Sequence, residues 1–280
     1  MIAAARRPLV NDAPAAHRRT LSWRARAAIG LAALLLAVFI VAPLGEIVYE
    51  AARAGLGSML ATFADRETQA AIALTIGAAL IAVAFNAAFG LIAAWTLTKY
   101  RFPGKAALQA LIDLPLTVSP VVAGLALLLT FGTRSPLGAW FAHHGFPIAF
   151  ARPGIVVATI FVTFPYVARE LIALMSEQGR ELEEAAISLG ATTWQAFRRV
   201  TFPEIRGAFL NGVLLCNARA MGEFGAVAVI SGRIRGLTDT VSLQISNLYD
   251  GADIVAAFTL AGTLAIVAIG LTFARRAKHR

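Results

Sequence analysis

Two charged residues stand four apart in an otherwise apolar run, Arg219 and Glu223 in NGVLLCNARAMGEFGAVAVISG. On a helix that spacing puts both on one face, where they can pair. A lone charge at the centre of a membrane span costs about 2.5–3.5 kcal/mol, so the pair must face protein or a water-filled path. Asn211 and Asn217 add polar groups to the same run. Two roles are open for Asn217, Arg219 and Glu223. They line or gate a translocation path, or Arg219 and Glu223 form an internal salt bridge that fixes helix packing. Gly222 and Gly225 remove side chains where another helix could approach closely, which reads as packing.

Other chemistry is thinly represented. The four histidines, His17, His143, His144 and His279, all lie outside the apolar runs. Asp113 has no aspartate partner in the apolar stretches, so neither a Ser–His nor a paired-Asp hydrolase constellation is expected there. His143 and His144 have no carboxylate or cysteine beside them, and no metal site is expected. The single cysteine, Cys216, allows no disulfide within the chain and no Cys-based metal site. The phosphate-cradling GxxxxGK[ST], the GxSxG elbow and HExxH are all missing. The chain reads as a non-enzyme without a cofactor.

The elements that position these residues are membrane spans. Of 280 residues 58% are hydrophobic and 15% charged, with mean hydropathy +0.71; a soluble domain carries about 25% charged residues. Several stretches exceed the roughly 18 apolar residues that cross a bilayer. The net charge of +9 does not indicate nucleic acid, because the basic residues sit beside the spans without interleaved aromatics. The expected order is an Arg-rich tail over 1–27 and a first span over 28–50. A basic segment before an apolar run also describes a signal peptide, but this run is long and no clean cleavage site follows. A core over 66–274 then holds five more spans, near 68–97, 106–131, 153–175, 207–230 and 254–274, and 275–280 is a basic tail. Pro115 and Pro120 predict a kink or break in the third span. With both termini inside, eighteen of the 25 Lys and Arg residues face the cytoplasm and six face out, as the positive-inside rule requires.

The longest polar interval, within 177–206, reads ELEEAAISLGATTWQAFRRVTFPEI from Glu181 to Ile205. Leu182, Ala185, Ala186 and Leu189 make one stripe on a short helix. Acidic residues in its first turn suit the helix dipole, and Gly190 can end it in a left-handed conformation. Thr192 or Thr193 can cap a second short helix, and Thr201 with Pro203 marks a third start.

Glu184, Ala185 and Ala186, then Gly190, Val200, Phe202 and Pro203 at their spacings, resemble the EAA loop of bacterial ABC importer permeases. Val200 and Phe202 are the only departures, standing where that family writes Ile and Leu. The resemblance implies an all-α, six-span type I importer permease (MetI-like) fold, with a cytoplasmic loop that docks into an ATPase. Asn217–Gly236 is similar to the sulfate/molybdate branch, whose fifth span carries GE(F/Y)G. Asp113–Gly124 and Gly154–Ile172 resemble CysW-type sulfate/thiosulfate permeases. Such subunits pair with a homologous CysT-type permease, bind two copies of a CysA-type ATPase and receive anion from a periplasmic sulfate- or thiosulfate-binding protein, in the lipid of the bacterial inner membrane. Molybdate or tungstate is the alternative cargo. A secondary transporter would share the intramembrane charges but would not need the EAA spacing.

Overall fold

The computed structural model describes residues 22–277, with side chains through residue 270. Every element among them is helical: α1 (Trp23–Leu36), α2 (Ala42–Arg53), α3 (Gly55–Ala64), α4 (Arg66–Lys99), α5 (Lys105–Thr117), α6 (Pro120–Phe131), α7 (Pro136–His143), α8 (Arg152–Gln178), α9 (Glu181–Ser188), α10 (Thr193–Ala196), α11 (Phe202–Met221), α12 (Gly225–Ile230), α13 (Val241–Asp250) and α14 (Ile254–Ala277). The chain divides into two units, one ending at Gly45 and the other beginning at Glu46. In the first unit the apolar side chains of α1 are exposed, as Leu31 and Leu34 are.

Within the second unit α4, α8 and α11 form the centre. The α4 helix starts where Asp65 accepts the Thr68 N–H at 2.9 Å, and it ends with Lys99 in its last turn. Its 34 residues extend about 50 Å, longer than the roughly 30 Å hydrocarbon layer. Small residues let these helices meet closely. A Cβ on Gly90 of α4 would lie 2.9 Å from the Ala168 nitrogen of α8, and one on Gly212 of α11 would lie 3.0 Å from the Val167 Cα. A buried polar knot joins all three. The Asn86 amide donates to Thr163 Oγ1 at 2.8 Å and to the Ile160 carbonyl at 3.2 Å, with Cys216 Sγ at 3.7 Å.

Among the described residues three helical runs are long and apolar enough to cross a membrane alone: Trp23–Arg53, Arg66–Lys99 and Arg152–Gln178. The expected third span is two helices, α5 and α6, meeting at 112°. Pro120 opens α6 and cannot continue α5, so the break falls at Val118 and Ser119. The fifth span, expected to be continuous, is interrupted at Gly222–Phe224 between α11 and α12. The α12 helix packs on α6 through glycines. A Cβ on Gly124 would lie 2.6 Å from the Ala226 carbonyl oxygen, and one on Gly225 2.9 Å from Pro120 Cβ. Gly222 has no such neighbour, since the nearest atom to an added Cβ is the Ala218 carbonyl oxygen at 3.8 Å.

Two helical runs widen into π turns, at Ala37–Val41 and at Phe197–Thr201. Each ends two residues before a proline, Pro43 or Pro203. Proline lacks an N–H and its ring clashes with the carbonyl four residues back. Bonding to the fifth residue back, as Phe202 N–H does to the Phe197 carbonyl, relieves both. Thr201 and Pro203 therefore do not begin a third helix. The run from Thr193 to Met221 is continuous through the π turn.

Candidate functional site: a docking loop and an interrupted helix

The loop after α8 assembles from its own caps. Gly179, at φ 70°, ends α8. Three glutamates occupy the first turn of α9. Gly190 has φ 90°, its N–H donates to the Ile187 carbonyl at 2.9 Å, and the Ala191 N–H donates to the Ala186 carbonyl at 3.0 Å. This is the Schellman closure of a helix end. Thr192 then caps α10 in a capping box with Gln195: the Gln195 N–H donates to Thr192 Oγ1, and the Thr192 N–H to Gln195 Oε1. The leucines of the α9 stripe face outward, with Leu182 55% and Leu189 89% exposed, and Trp194 of α10 is 67% exposed with one face stacked on Phe197 at 5.4 Å. Glu184, Ala185 and Gly190 are exposed too, and Ala186 and Val200 are half-buried. The Phe202 ring lies tilted between those of Phe197 and Phe209, at ring-centre distances of 6.0 and 6.2 Å.

Arg219 and Glu223 pair at 2.8 Å, but not along one helix. The α11 helix ends at Met221, and Glu223 lies in the interruption. Its second oxygen accepts the Ala226 N–H of α12 at 3.0 Å. One carboxylate thus links the end of α11 to the start of α12. Glu223 is almost wholly buried, while the Arg219 side chain is 32% exposed. Beside them Asn217 donates to Met221 Sδ at 3.7 Å. Phe224 is 39% exposed, with the Arg233 guanidinium 5.7 Å from its ring centre, a cation–π distance.

Three polar contacts were not foreseen. Asn211 donates to Glu170 of α8. Asp113 pairs with Arg169 at 3.4 Å. Lys99 Nζ lies 2.8 Å from the Glu183 carboxylate. Glu170 stands among apolar residues, a signal of the same kind as Arg219, whereas the Lys99–Glu183 pair joins residues 84 apart and leaves no local trace. Outside the spans, Asp239 is buried, with Oδ2 accepting from the Asn247 amide at 2.6 Å. Burial pushes its carboxyl pKa up, against the Asn247 bond and the nearby Arg233 and Arg235 charges.

Long apolar helices, an interrupted helix carrying a buried ion pair and a self-capped loop with an exposed apolar stripe are the features of a polytopic membrane protein. Residues 86–278 match the family model described as binding-protein-dependent transport system inner membrane component, and the chain belongs to that family. It is 48% identical over 251 residues to the sulfate transport system permease protein CysW of Escherichia coli K12, covering 90% of this chain and 86% of that protein. It is 47% identical over 241 residues to CysW of Synechocystis, covering 86% and 87%. The fold matches a chain of a bacterial alginate ABC transporter crystallised with its pentasaccharide-bound periplasmic protein. The TM-score is 0.76 at 18% identity, covering 92% of this chain and 94% of that one.

Proposed function

We propose that this chain is the membrane-spanning permease subunit of an ATP-driven importer of sulfate and thiosulfate. The observation that carries the reading is the 48% identity to a sulfate permease across 90% of the chain, with the exposed stripe of α9 and the Trp194 face of α10 turned outward beside it. In this reading the first span over 28–50 and the core over 66–274 make six crossings, and both termini lie in the cytoplasm. The loop over 177–206 docks into the ATPase through Glu184, Ala185, Ala186, Gly190, Val200, Phe202 and Pro203. The permease performs no bond chemistry itself. It works beside a homologous CysT-type permease, two CysA-type ATPases and a periplasmic sulfate- or thiosulfate-binding protein.

Asn217, Arg219 and Glu223 border the translocation path, and Gly225 seats α12 on α6. Irregular backbone at membrane depth is tolerated only where it is buried or lines a cavity, and the break at Gly222–Phe224 is such a place. A dianion needs donors along its path without a tight trap. Arg219, partly neutralised by Glu223, supplies a tempered positive charge.

The test is uptake of radiolabelled sulfate by a strain whose own sulfate permeases are deleted, complemented with this chain and its partner subunits. ATP-dependent uptake blocked by excess thiosulfate is expected. Uptake of molybdate in place of sulfate, or uptake driven by an ion gradient without the ATPase, would overturn the reading.

A further inference from the structure

How α9 is fastened to the spans follows from its surroundings. It has no fully buried side chain, and the apolar stripe faces outward. Among the described residues, the side-chain hydrogen bonds and ion pairs that reach from α9 to the rest of the chain all belong to Glu183. Its carboxylate lies 2.8 Å from Lys99 Nζ and accepts the Thr201 hydroxyl proton at 2.7 Å. Lys99 also donates to the Gly179 carbonyl at 2.6 Å, and Arg180 Nη2 donates to the Thr98 carbonyl at 3.2 Å. Glu183 therefore joins α9 to the last turn of α4 and to the π turn that leads into α11.

The burial is unusual for these residue types. The Lys99 and Glu183 side chains are 9% and 13% exposed, and Thr201 is 1% exposed. Lys and Glu are almost never so enclosed unless paired. Charge-assisted hydrogen bonds are short and directional, and here they hold three elements in one geometry. Lys99 also sits at the negative end of the α4 dipole.

We propose that Glu183, clamped between Lys99 and Thr201, is the positioning residue that converts displacement of α9 into displacement of α4 and α11. This rests on the reading of the loop as the ATPase dock, and it adds what that reading lacks, the joint between dock and spans. Glu184 and Leu189 face outward toward a partner; Glu183 faces inward. A push on α9 would pass through one carboxylate to the cytoplasmic end of α4 and to α11, the helix that carries Arg219 in its last turn.

The test uses the complete transporter, with its ATPase and binding protein, in proteoliposomes. Glu183→Gln and Thr201→Val are each compared with the parent for ATPase co-purification, for ATP hydrolysis and for sulfate imported per ATP. The expected result is normal co-purification and sustained hydrolysis, with import per ATP reduced about tenfold or more in Glu183→Gln, as the loss of a charge-assisted hydrogen bond implies, and less in Thr201→Val. Arginine at 99 keeps the charge, and Lys99→Arg should retain most coupling where Lys99→Met does not. Unchanged import per ATP in Glu183→Gln would overturn the proposal. So would loss of ATPase binding in that variant, because Glu183 would then belong to the dock. Leu189→Glu provides the separate control: if it leaves co-purification intact, the docking reading fails regardless of Glu183.

Discussion

Arg219→Ala should be more damaging than Glu223→Ala, although each removes one half of the same pair. The asymmetry follows from burial. The Glu223 side chain is 1% exposed and that of Arg219 32%. Without Arg219, a buried carboxylate keeps only the Ala226 N–H. Breaking a buried pair in this way costs about 3–5 kcal/mol. Without Glu223, the Arg219 guanidinium can turn toward water, and the loss is mainly the cap on α12, about 0.5–2 kcal/mol. At roughly 2–4 °C per kcal/mol for a chain of this size, Arg219→Ala should lower the unfolding midpoint by about 10 °C and Glu223→Ala by a few degrees. The chain carries its own reporter. Cys216 is its one cysteine and is fully buried, so a thiol-reactive dye follows unfolding of the detergent-solubilised protein. The charge exchange Arg219→Glu with Glu223→Arg restores opposite charges but leaves the Ala226 N–H without its acceptor. It should stay below the parent in stability and uptake. Equal or greater destabilisation by Glu223→Ala would refute the reasoning.

Gly190→Val should cost about 1–2 kcal/mol locally, since the residue must hold φ 90° against a Cβ; no atom obstructs that Cβ, so the effect is conformational and should appear as weakened ATPase co-purification at normal membrane levels. Reporter fusions after Lys105, after Arg198 and at Arg280 should read cytoplasmic and those near Arg134 and Arg235 periplasmic; a periplasmic signal at Arg198 contradicts the docking loop. Asp239→Asn should raise the unfolding midpoint at neutral pH. A raised carboxyl pKa means that folding favours the protonated form, so its cost is absent below the unfolded value of about 3.9 and grows as pH rises through the folded value. The difference between variant and parent should therefore vanish on acidification, and a pH-independent difference would show that the Asn247 contact dominates.

Signals confined to one turn of chain were legible in the sequence. Gly190 as a left-handed stop, Thr192 as a cap and the break between Pro115 and Pro120 each follow from one or two residues. The short helices α3, α7 and α13 lie between the expected spans, and ten residues or fewer complete too few turns to show a periodicity. The interruption after Met221 was missed for a related reason: GEFG is apolar enough to pass as helix, and the i,i+4 spacing of Arg219 and Glu223 fits a continuous one. The pairs Lys99–Glu183 and Glu170–Asn211 depend on helices brought together from distant sequence, and only the packed structure could supply them.

The π turn ahead of Pro203 also sets an angle. A π turn accommodates one residue more than an α-helical path, and each residue of an α-helix turns the chain by about 100°. Deleting one residue between Phe197 and Thr201 would remove that extra residue and let the run close as an α-helix, with Pro203 then strained against it. The bearing of α10 and α9 about the α11 axis would change little. The same deletion in the α-helical turns of α11 would rotate both by about 100°. The outward bearing of Leu189 is thus a matter of phase, and the π turn is a place where the run can lose a residue and nearly keep it.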